Sequence, residues 1–446
     1  MSVARESWGT RIGFIMAAAG SAVGLGNIWK FPYVAGENGG GAFLLIYIGC
    51  IVLFGLSIVM AELLVGRMAQ RTPVAAFREV AGRGWSLVGG MGVVTAFIIL
   101  SFYIVVGGWT IAYMLYTVDG ALASTDSASL ERVFTELTGG TWMPLVYAAV
   151  FMALVAGVVL GGVGKGIERA AKLLMPLLFV ILLVLVARSV TLPGAGEGIA
   201  FYLTPDFSRV SGETFTAAIG QAFFSLSLGM GAMLTYGSYM PRDHNLPADA
   251  TAVVVLDTLI AILAGFMVLP AMFAAGMEPG SGGAGTTFMV LPAVFDAMPG
   301  GPIFGFSFFL LLTVAALTSA VSLLETVVCY FVDEYGASRR GATAGSALVC
   351  FLIGIPASLS FGLMSDVEIF GRTFFDLLDF LSSSITLPLG GLLTALCVGW
   401  ALGPWAVRAI GNDGRIAVPW AGVWLFVLRF VAPIGIGWIL IQGLFF

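Results

Sequence analysis

Long apolar segments separated by short polar loops recur along the whole chain. Eleven of these segments approach or exceed the about 20 apolar residues that an α-helix needs to cross a bilayer. They lie near residues 12–36, 42–67, 88–117, 143–162, 167–190, 214–240, 250–277, 303–332, 342–361, 373–402 and 418–443. The pattern predicts an all-α polytopic membrane protein, in which residues 1–446 form a single transmembrane domain with its termini on opposite sides of the membrane.

The first predicted span is interrupted by glycines. Gly20, Gly24 and Gly26 fall within seven positions, and Asn27 and Lys30 follow them. Each interior glycine costs a helix about 0.5–1 kcal/mol relative to alanine, and backbone groups that leave a helix in lipid must find other partners. One interpretation is a helix broken at mid-membrane, whose free carbonyls bind a cation and whose half-helix N-terminus binds a carboxylate. The alternative is a continuous glycine-rich packing helix. The polar Asn27 and Lys30 favour the broken helix, because such groups are costly in a membrane.

The sixth span carries a similar interruption. It reads QAFFSLSLGMGAMLTYGSY from Gln221 to Tyr239, and Gly229 and Gly231 flank Met230 at its centre. Taken alone, such glycines serve packing as often as function. Two interrupted spans five helices apart, however, indicate inverted repeats with a binding site at mid-membrane. The chain is therefore divided into repeat 1 at 11–190, repeat 2 at 214–402 and a peripheral span at 418–443.

Composition narrows the class of protein further. A soluble globular protein carries about 25% charged residues, whereas this chain has 10% charged and 59% hydrophobic residues. The four cysteines lie in predicted spans without metal-ligand spacing and are expected to be small packing residues. The only histidine, His244, falls in a predicted loop, so the chain lacks the Ser–His pair of a membrane hydrolase. We expect no enzyme activity, no organic cofactor and no nucleic-acid partner.

The distribution of basic residues predicts the orientation. If the N-terminus is cytoplasmic, cytoplasmic segments hold 14 Lys and Arg and external segments hold four. The positive-inside rule therefore predicts a plasma-membrane protein with a cytoplasmic N-terminus. The large external loops are 118–142, 191–213 and 278–302. The last contains an amphipathic run from Thr286 to Met298, which is either a cap on an outer vestibule or an ordinary surface helix.

Four motifs in order resemble those of one known family. They are GSAVGLGNIWKFPY at 20–33, ENGGGAF at 37–43, QAFFSLSLGMG at 221–231 and ALTSAVS at 316–322. Together they resemble the neurotransmitter:sodium symporter family, and most of all its bacterial amino-acid transporters, from about residue 5 to 384. The resemblance implies the LeuT fold, with a 5+5 inverted repeat and 11 transmembrane helices. It also implies Na+-coupled uptake of amino acids or related compounds by a monomer or weak oligomer.

The resemblance implies two bound Na+ ions. The first is expected at the Ala22 carbonyl, Asn27, Ser225 and Asp257, completed by the substrate carboxylate. These are the oxygen ligands that a hard cation prefers. Asp257 stands where many members of the family have asparagine. Because a fixed carboxylate supplies the negative charge that chloride-dependent relatives take from an anion, we expect transport to be independent of chloride.

The second sodium site implied by the resemblance consists of three carbonyls and two hydroxyls. They belong to Gly20, Val23, Ala315, Thr318 and Ser319. Without the resemblance, the two hydroxyls would be expected to bond their own helix backbone, as serine and threonine usually do in membrane helices.

The implied substrate site lies between the two interrupted spans. The substrate carboxylate is expected at the Leu25 and Gly26 amides and the Tyr103 hydroxyl, and its ammonium group at carbonyls around Ala22, Phe224 and Ser227. The substrate side chain is expected to face Ile99, Tyr103, Phe224, Met230, Ser319 and Leu323. Because no charged residue except the sodium-binding carboxylate belongs to this set, we expect neutral, hydrophobic or aromatic L-amino acids. Another small zwitterion, or a family member that binds without transport, stays an alternative.

Gates are implied on both sides of this site. Lys30 and Asp379 resemble the outer ion pair, although arginine is usual at the first position and lysine lacks its bidentate fork. Phe224 and Tyr103 are expected to form an aromatic lid beneath that pair. The inner gate is expected to consist of Arg5, Trp8, Asp333 and Tyr239, with Ser238 nearby. Gly166 and Pro176 match a family feature of the fifth span that weakens its helix end and admits water to the second sodium site.

Overall fold

The computed structural model describes residues 6–123, 127–279, 286–296 and 299–445, and these are almost entirely helical. The membrane-crossing helices are α1 (Arg11–Ala22), α2 (Gly26–Glu37), α3 (Gly41–Ala69), α4 (Arg83–Asp119), α5 (Met143–Leu160), α6 (Val163–Val190), α7 (Gly212–Ser225), α8 (Ala232–Ser238), α9 (Leu246–Ala274), α10 (Gly301–Tyr335), α11 (Arg339–Leu359), α12 (Phe374–Leu402) and α13 (Ala421–Gly443). Shorter helices in the loops span Pro73–Ala81, Ser127–Gly139, Ala195–Leu203, Thr286–Asp296 and Pro404–Ile410.

The predicted spans correspond to these helices. In the described part of the chain, nine helices are long and apolar enough to cross a membrane, and the bent pair of α1 and α2 makes a tenth. The helices α7 and α8 occupy the predicted sixth span and are separated by residues 226–231. The observed ends differ from the predicted ones by a few residues, because capping and not hydropathy decides where a helix stops.

The centre of the bundle is formed by α10 and α4. In their most apolar stretches 83% and 72% of the residues are buried, whereas α5, α6 and α13 have only 33%, 28% and 33% buried. The peripheral helices therefore present most of their apolar side chains to lipid. The four cysteines are free and buried, as expected of packing residues.

The first span is broken between α1 and α2. The α-helix ends at Ala22, Val23 takes an extended conformation with φ −72° and ψ 100°, and the two halves meet at an angle of 51°. The side-chain oxygen of Asn27 accepts a hydrogen bond from the Gly24 amide at 3.2 Å, which satisfies a backbone group freed by the break. The interpretation as a continuous packing helix is therefore wrong.

The sixth span is broken more widely. Ser227, Gly229 and Gly231 all have positive φ, at 54°, 77° and 73°. A side chain at Gly229 would place its Cβ 2.2 Å from the Leu387 carbonyl oxygen of α12, so both backbone conformation and space require glycine there. The Gly229 amide donates to the buried carboxylate of Glu62 at 2.7 Å, which ties the open segment to α3.

The loops that were predicted to be external contain helices that hydropathy does not reveal. Ser127–Gly139 and Ala195–Leu203 are helical within loops that were predicted only as connections. The amphipathic run forms a helix over Thr286–Asp296, and its last two residues lie outside the described part of the chain. Phe288 of this helix is buried against the rings of Trp109, Tyr113 and Trp29. Because Trp29 belongs to α2, the helix lies against the second half of the broken span.

Candidate functional site

The two breaks face each other across a narrow, nearly filled cavity. Nine of the ten residues predicted to bind substrate line it: Ala22, Gly26, Ile99, Tyr103, Phe224, Ser227, Met230, Ser319 and Leu323. The tenth, Leu25, contributes its backbone, because its amide donates to the Tyr103 hydroxyl at 3.2 Å. The structure therefore brings together the whole predicted set from α1, α2, α4, α7, α10 and the two breaks.

Glycine allows the walls of this cavity to approach closely. A Cβ on Gly24 would lie 2.5 Å from Ser319 Oγ and 3.0 Å from the Tyr103 hydroxyl oxygen. A Cβ on Gly26 would lie 2.7 Å from the Phe224 ring. These distances are shorter than the van der Waals contact of a carbon atom. A residue larger than glycine at either position would therefore fill the space between the two broken helices.

The residues predicted for the first sodium site form one hydrogen-bonded group. The Asn27 side chain donates to Asp257 Oδ1 at 2.8 Å and to Ser225 Oγ at 2.9 Å. The Ser225 hydroxyl donates to Asp257 Oδ2 at 2.7 Å, and the Tyr47 hydroxyl approaches Ser225 at 3.4 Å. Ala22 lines the adjoining cavity. The hydroxyl oxygen of Ser225 and both carboxylate oxygens of Asp257 are thus concentrated in a small volume, and these are oxygen ligands of the kind that a hard cation requires. The Asn27 amide meets them with its nitrogen, while its oxygen accepts from the Gly24 amide.

Asp257 has no positive partner in this group. It is fully buried, and both of its oxygens accept hydrogen bonds from neutral donors. The ion pairs in the described part of the chain involve other carboxylates, namely those of Asp249, Glu79, Glu334, Glu168, Asp206, Glu6 and Glu325. An uncompensated carboxylate inside a membrane is costly, and a bound cation removes that cost.

The residues predicted for the second sodium site are also neighbours. Ser319 Oγ lies 3.3 Å from the Val23 carbonyl oxygen and 3.1 Å from that of Ser21. Gly20 packs against Thr318, since a Cβ there would lie 3.3 Å from the threonine Cβ. The Thr318 hydroxyl bonds the Ala315 carbonyl at 3.0 Å.

The predicted outer pair does not form a direct ion pair in this structure. Lys30 Nζ lies 4.9 Å from the centre of the Phe224 ring, which is a cation–π distance. Asp379 accepts a hydrogen bond from Ser383 at 2.9 Å instead. Lysine ends in a single ammonium group without the reach and fork of arginine, so the aromatic face competes well for it. The cation and the lid residue Phe224 are nevertheless adjacent.

Aromatic residues close the side of the cavity where the inner gate was predicted. Trp8 is buried, its indole donates to the Tyr236 carbonyl at 3.0 Å, and its amide donates to the Tyr239 carbonyl at 3.2 Å. Asp333 lines a surface cleft at the end of α10 together with Glu334. Ser238 is buried beside Tyr239. Arg5 lies outside the described residues.

The N-terminal segment is anchored to the start of α6, where Gly166 lies. This helix begins after Gly162, which has φ 75°, and its first turn is a π-helix from Val163 to Glu168. The Glu168 carboxylate accepts from the Gly9 amide at 2.7 Å and the Thr10 hydroxyl at 2.9 Å. Farther along the helix, Met175, next to Pro176, contacts Gly20 of the second sodium site.

Two buried carboxylates at the ends of this region were not predicted from the sequence. Glu62 holds the second break, and Glu325 accepts from the Tyr239 hydroxyl at 2.7 Å and pairs with Arg339. Both glutamates stand alone among apolar residues of predicted spans. That isolation was a usable signal, because ionisable groups within membrane helices are rarely incidental. Gln221, whose side chain donates to the Gly26 carbonyl at 2.7 Å, gave no comparable signal.

Comparisons with known proteins agree on one family. The model of the sodium:neurotransmitter symporter family matches residues 5–135 and 130–445. A Bacillus subtilis protein named as an uncharacterized sodium-dependent transporter, YhdH, is 41% identical over 431 residues, covering 96% of this chain and 95% of its own. Mouse sodium- and chloride-dependent GABA transporter 2 is 27% identical over 448 residues, covering 90% and 73%. The crystal structure of MhsT in complex with L-phenylalanine superposes with a TM-score of 0.91 at 47% identity, covering 98% of this chain and 100% of that one.

Proposed function

Because the chain belongs to the sodium:neurotransmitter symporter family and is a sodium-dependent transporter with the LeuT fold, we propose that it imports neutral, hydrophobic or aromatic L-amino acids together with Na+. The protein sits in the plasma membrane with a cytoplasmic N-terminus, and its substrate and ions bind at mid-membrane between the two broken spans. Repeats 11–190 and 214–402 move around this site by alternating access. The observation that carries the proposal is the buried, unpaired carboxylate of Asp257 beside the cavity.

The first Na+ binds between Asn27, Ser225, Asp257 and the Ala22 carbonyl. The ion supplies the positive charge that Asp257 lacks, and the substrate carboxylate completes its ligands. Because the protein itself carries the balancing negative charge, transport does not need chloride. The second Na+ binds at Gly20, Val23, Ala315, Thr318 and Ser319, where Ser319 Oγ already lies 3.3 Å from the Val23 carbonyl oxygen.

The amino-acid substrate lies across the breaks, with its carboxylate toward Leu25, Gly26 and Tyr103. The Tyr103 hydroxyl and the Leu25 amide form a hydrogen bond 3.2 Å long, so both groups are already positioned to bind a carboxylate. The other end of the cavity is apolar, with Ile99, Phe224, Met230 and Leu323 among the lining residues and no charged side chain. A pocket of this kind favours an uncharged hydrophobic side chain. The L-phenylalanine complex of the similar MhsT supports this substrate class.

Gates on the two sides open in turn. Lys30, Phe224 and Tyr103 cover the outer side, and Asp379 receives the lysine when the outer gate closes further. Trp8 and Tyr239 close the inner side, together with Arg5 and Asp333. The start of α6, up to Pro176, opens toward the second sodium site and lets that ion leave. The contact of Lys30 with the Phe224 ring and the hydrogen bond from Trp8 to the Tyr236 carbonyl support this assignment of the two gates.

Coupling to two ions makes import favourable. Two Na+ with a zwitterion carry two net charges inward, which releases about 4.6 kcal/mol at 100 mV at about 2.3 kcal/mol per charge. A difference of this size supports roughly a thousandfold accumulation of substrate, and the sodium gradient adds to it.

The test is uptake of labelled leucine, phenylalanine or tryptophan into proteoliposomes that contain the purified protein. We expect uptake under an inward Na+ gradient, a further increase with a negative interior potential, and no change when gluconate replaces chloride. Equal uptake under a K+ gradient would reject sodium coupling. Sodium-driven uptake that all twenty amino acids fail to inhibit would keep the symporter and reject the substrate class.

A further inference from the structure

An arginine lies within the last membrane-crossing helix, at the periphery of the bundle. Arg429 belongs to α13, and only 33% of the most apolar stretch of that helix is buried. The side chain is partly exposed, and it forms no ion pair with the residues that the structure describes. Arginine stays charged in proteins, and an unpaired charge inside a membrane is costly. Arg429 therefore requires partners that the ion pairs of the chain do not supply.

One partner is the end of α12. Its last turn is a π-helix, in which the Gly403 amide donates to the Val398 carbonyl at 3.0 Å. The following residue would donate to the Gly399 carbonyl, but Pro404 has no N–H. Arg429 Nε donates to that carbonyl at 2.7 Å instead. A cation at this place also opposes the negative end of the α12 dipole.

The end of the Arg429 side chain is left for another partner. Its two terminal nitrogens donate no hydrogen bond in the described part of the chain, and the protein does not enclose either of them. The guanidinium carbon lies 5.2 Å from the centre of the Trp400 ring, which is a cation–π distance. The terminal nitrogens form a fork that matches two oxygens of one phosphate or carboxylate.

The guanidinium lies at the depth of the phospholipid headgroups. The second break lies near the middle of its span, and a Cβ on Gly229 in that break would lie 3.1 Å from the Gly391 amide nitrogen of α12. Gly399, which binds Arg429, follows Gly391 by eight residues, or about 12 Å along the helix axis. The hydrocarbon core of a bilayer extends about 15 Å from its midplane. Arg429 is therefore near the boundary of that core, where the phosphates of the lipids are the fixed anions.

The site faces the leaflet on the side of the N-terminal segment. The Trp8 amide donates to the Tyr239 carbonyl at the end of α8. The Arg67 guanidinium donates both to the His244 carbonyl, soon after that end, and to the Ala409 carbonyl, soon after the end of α12. The ends of α8 and α12 are therefore on the same side of the membrane as the N-terminal segment, which is the side expected to be cytoplasmic.

Exposed aromatic rings lie beside the guanidinium. The ring centres of Trp400 and Phe430 are 5.5 Å apart, and those of Phe430 and Phe426 are 5.2 Å apart. Trp400, Phe430 and Phe426 are 55%, 42% and 56% exposed, so they lie on the lipid-facing surface. Aromatic side chains at the edge of a membrane pack against the glycerol and the first acyl carbons of lipids. Water could accept from the guanidinium but brings no charge, whereas a lipid phosphate satisfies both the donors and the charge.

We propose that Arg429 and the rings of Trp400 and Phe430 bind an anionic phospholipid of this leaflet. Its phosphate accepts from the two terminal nitrogens of Arg429, and its glycerol and acyl chains pack on the rings. The site depends neither on the substrate nor on the ions proposed above. It does include α12, the helix that packs against Gly229 of the second break.

The first test removes the charge. The full-length protein is purified in detergent with equal amounts of phosphatidylglycerol and phosphatidylcholine, and the lipids that it retains are counted by native mass spectrometry. Arg429→Gln should lower the ratio of retained phosphatidylglycerol to retained phosphatidylcholine about fivefold, the effect of one basic residue near a membrane surface. The ratio is the readout, because a loosened contact between α12 and α13 would change the binding of both lipids equally.

The matched control is Arg408→Gln. Arg408 lies on the short helix after α12, is exposed, and forms no ion pair in the described part of the chain. Its replacement removes the same charge from the same side of the membrane, and the ratio should stay unchanged. Arg429→Lys keeps the charge without the fork, so it should give a ratio between those of the parent and of Arg429→Gln. An unchanged ratio in Arg429→Gln, or an equal fall in Arg408→Gln, would overturn the site.

The second test separates a lipid from a soluble anion and from a second copy of the chain. The protein is placed in phosphatidylcholine vesicles that contain phosphatidylglycerol with a photoreactive diazirine near its ester, and the labelled peptides are mapped by mass spectrometry. We expect labelling concentrated on residues 396–403 and 423–431, reduced about fivefold in Arg429→Gln and unaffected by added glycerol 1-phosphate. Labelling spread evenly over all lipid-facing helices, displacement by glycerol 1-phosphate, or cross-links between two copies of the chain at this face would each overturn the proposal.

Discussion

Replacing Asp257 with asparagine removes one negative charge from the proposed first sodium site and leaves its shape nearly unchanged. A cation that shares the ligands Asn27 and Ser225, which lie 2.8 and 2.7 Å from the carboxylate oxygens, sits within about 4 Å of the carboxylate charge. At an effective dielectric constant of about 20, the attraction lost is about 4 kcal/mol. The asparagine oxygen still binds the ion, and the ion-free protein no longer buries an unpaired charge. We therefore expect a net loss of about 2 kcal/mol, which is roughly a thirtyfold higher sodium requirement.

The assay is the Na+ concentration that gives half-maximal amino-acid uptake in proteoliposomes, measured in chloride and in gluconate. Asp257→Asn should raise that concentration and should make uptake faster in chloride, because an external anion then supplies the missing charge. Asp249→Asn is the matched control: it lies on the same helix, is equally buried, and pairs with Arg11. It should lower the melting temperature without changing the sodium requirement. An Asp257→Asn protein with the sodium requirement of the parent and no response to chloride would refute the reasoning.

Three further predictions concern the space around the breaks. Gly24→Ala should lower substrate affinity about fivefold to about 150-fold, because its Cβ would lie 2.5 Å from a side-chain oxygen and overpacking costs about 1–3 kcal/mol. The control Gly49→Ala, whose Cβ meets nothing within 4 Å, should bind substrate normally in the same titration. Met230→Phe should weaken tryptophan binding more than valine binding in competition assays, and equal changes would place Met230 outside the side-chain pocket. Gly229→Ala should lower the melting temperature, because Gly229 has a φ of 77° and a Cβ there would lie 2.2 Å from a backbone oxygen. The control Gly220→Ala, whose Cβ meets nothing within 4 Å, should leave the melting temperature unchanged. A stable Gly229→Ala protein would show that the second break can move freely.

The number and order of the spans could be predicted because each span is recognised from its own apolar residues alone. About twenty apolar residues in a row cannot be anything but a membrane helix in a chain of this composition. The two breaks were also predictable, because Gly24 and Gly229 weaken a helix whatever surrounds them. That the site residues lie close together could not be predicted from any one segment. The resemblance of the four motifs to a known family supplied that prediction. Asn27, Ser225 and Asp257 are separated by 198 and 32 residues along the sequence, and only the fold brings them within hydrogen-bond distance.

The remaining features depend on contacts that no single segment contains. Lys30 has both Phe224 and Asp379 as candidate partners, and the choice between them depends on a few ångströms of backbone position. The ion pair between Glu325 and Arg339 joins two helices across a turn, and no sequence motif predicts it. The loop helix Ser127–Gly139 is too polar to stand out from a connection in hydropathy, and it forms because it packs on the outer ends of its neighbours.

The hydroxyls of Ser227 and Ser319 lie over the carbonyls of the first break, each donating to the Ser21 oxygen at 2.9 and 3.1 Å. A hydroxyl oxygen both donates and accepts, and its hydrogen turns about a single bond. At the proposed second sodium site, an arriving cation would therefore find the Ser319 oxygen in place once its hydrogen turns aside, since lone pairs of that oxygen would then point at the charge. An ammonium group in that position could not accept a cation in this way. We therefore expect loading and unloading of that ion to need only a turn of the Ser319 O–H bond, while the unwound backbone keeps its course.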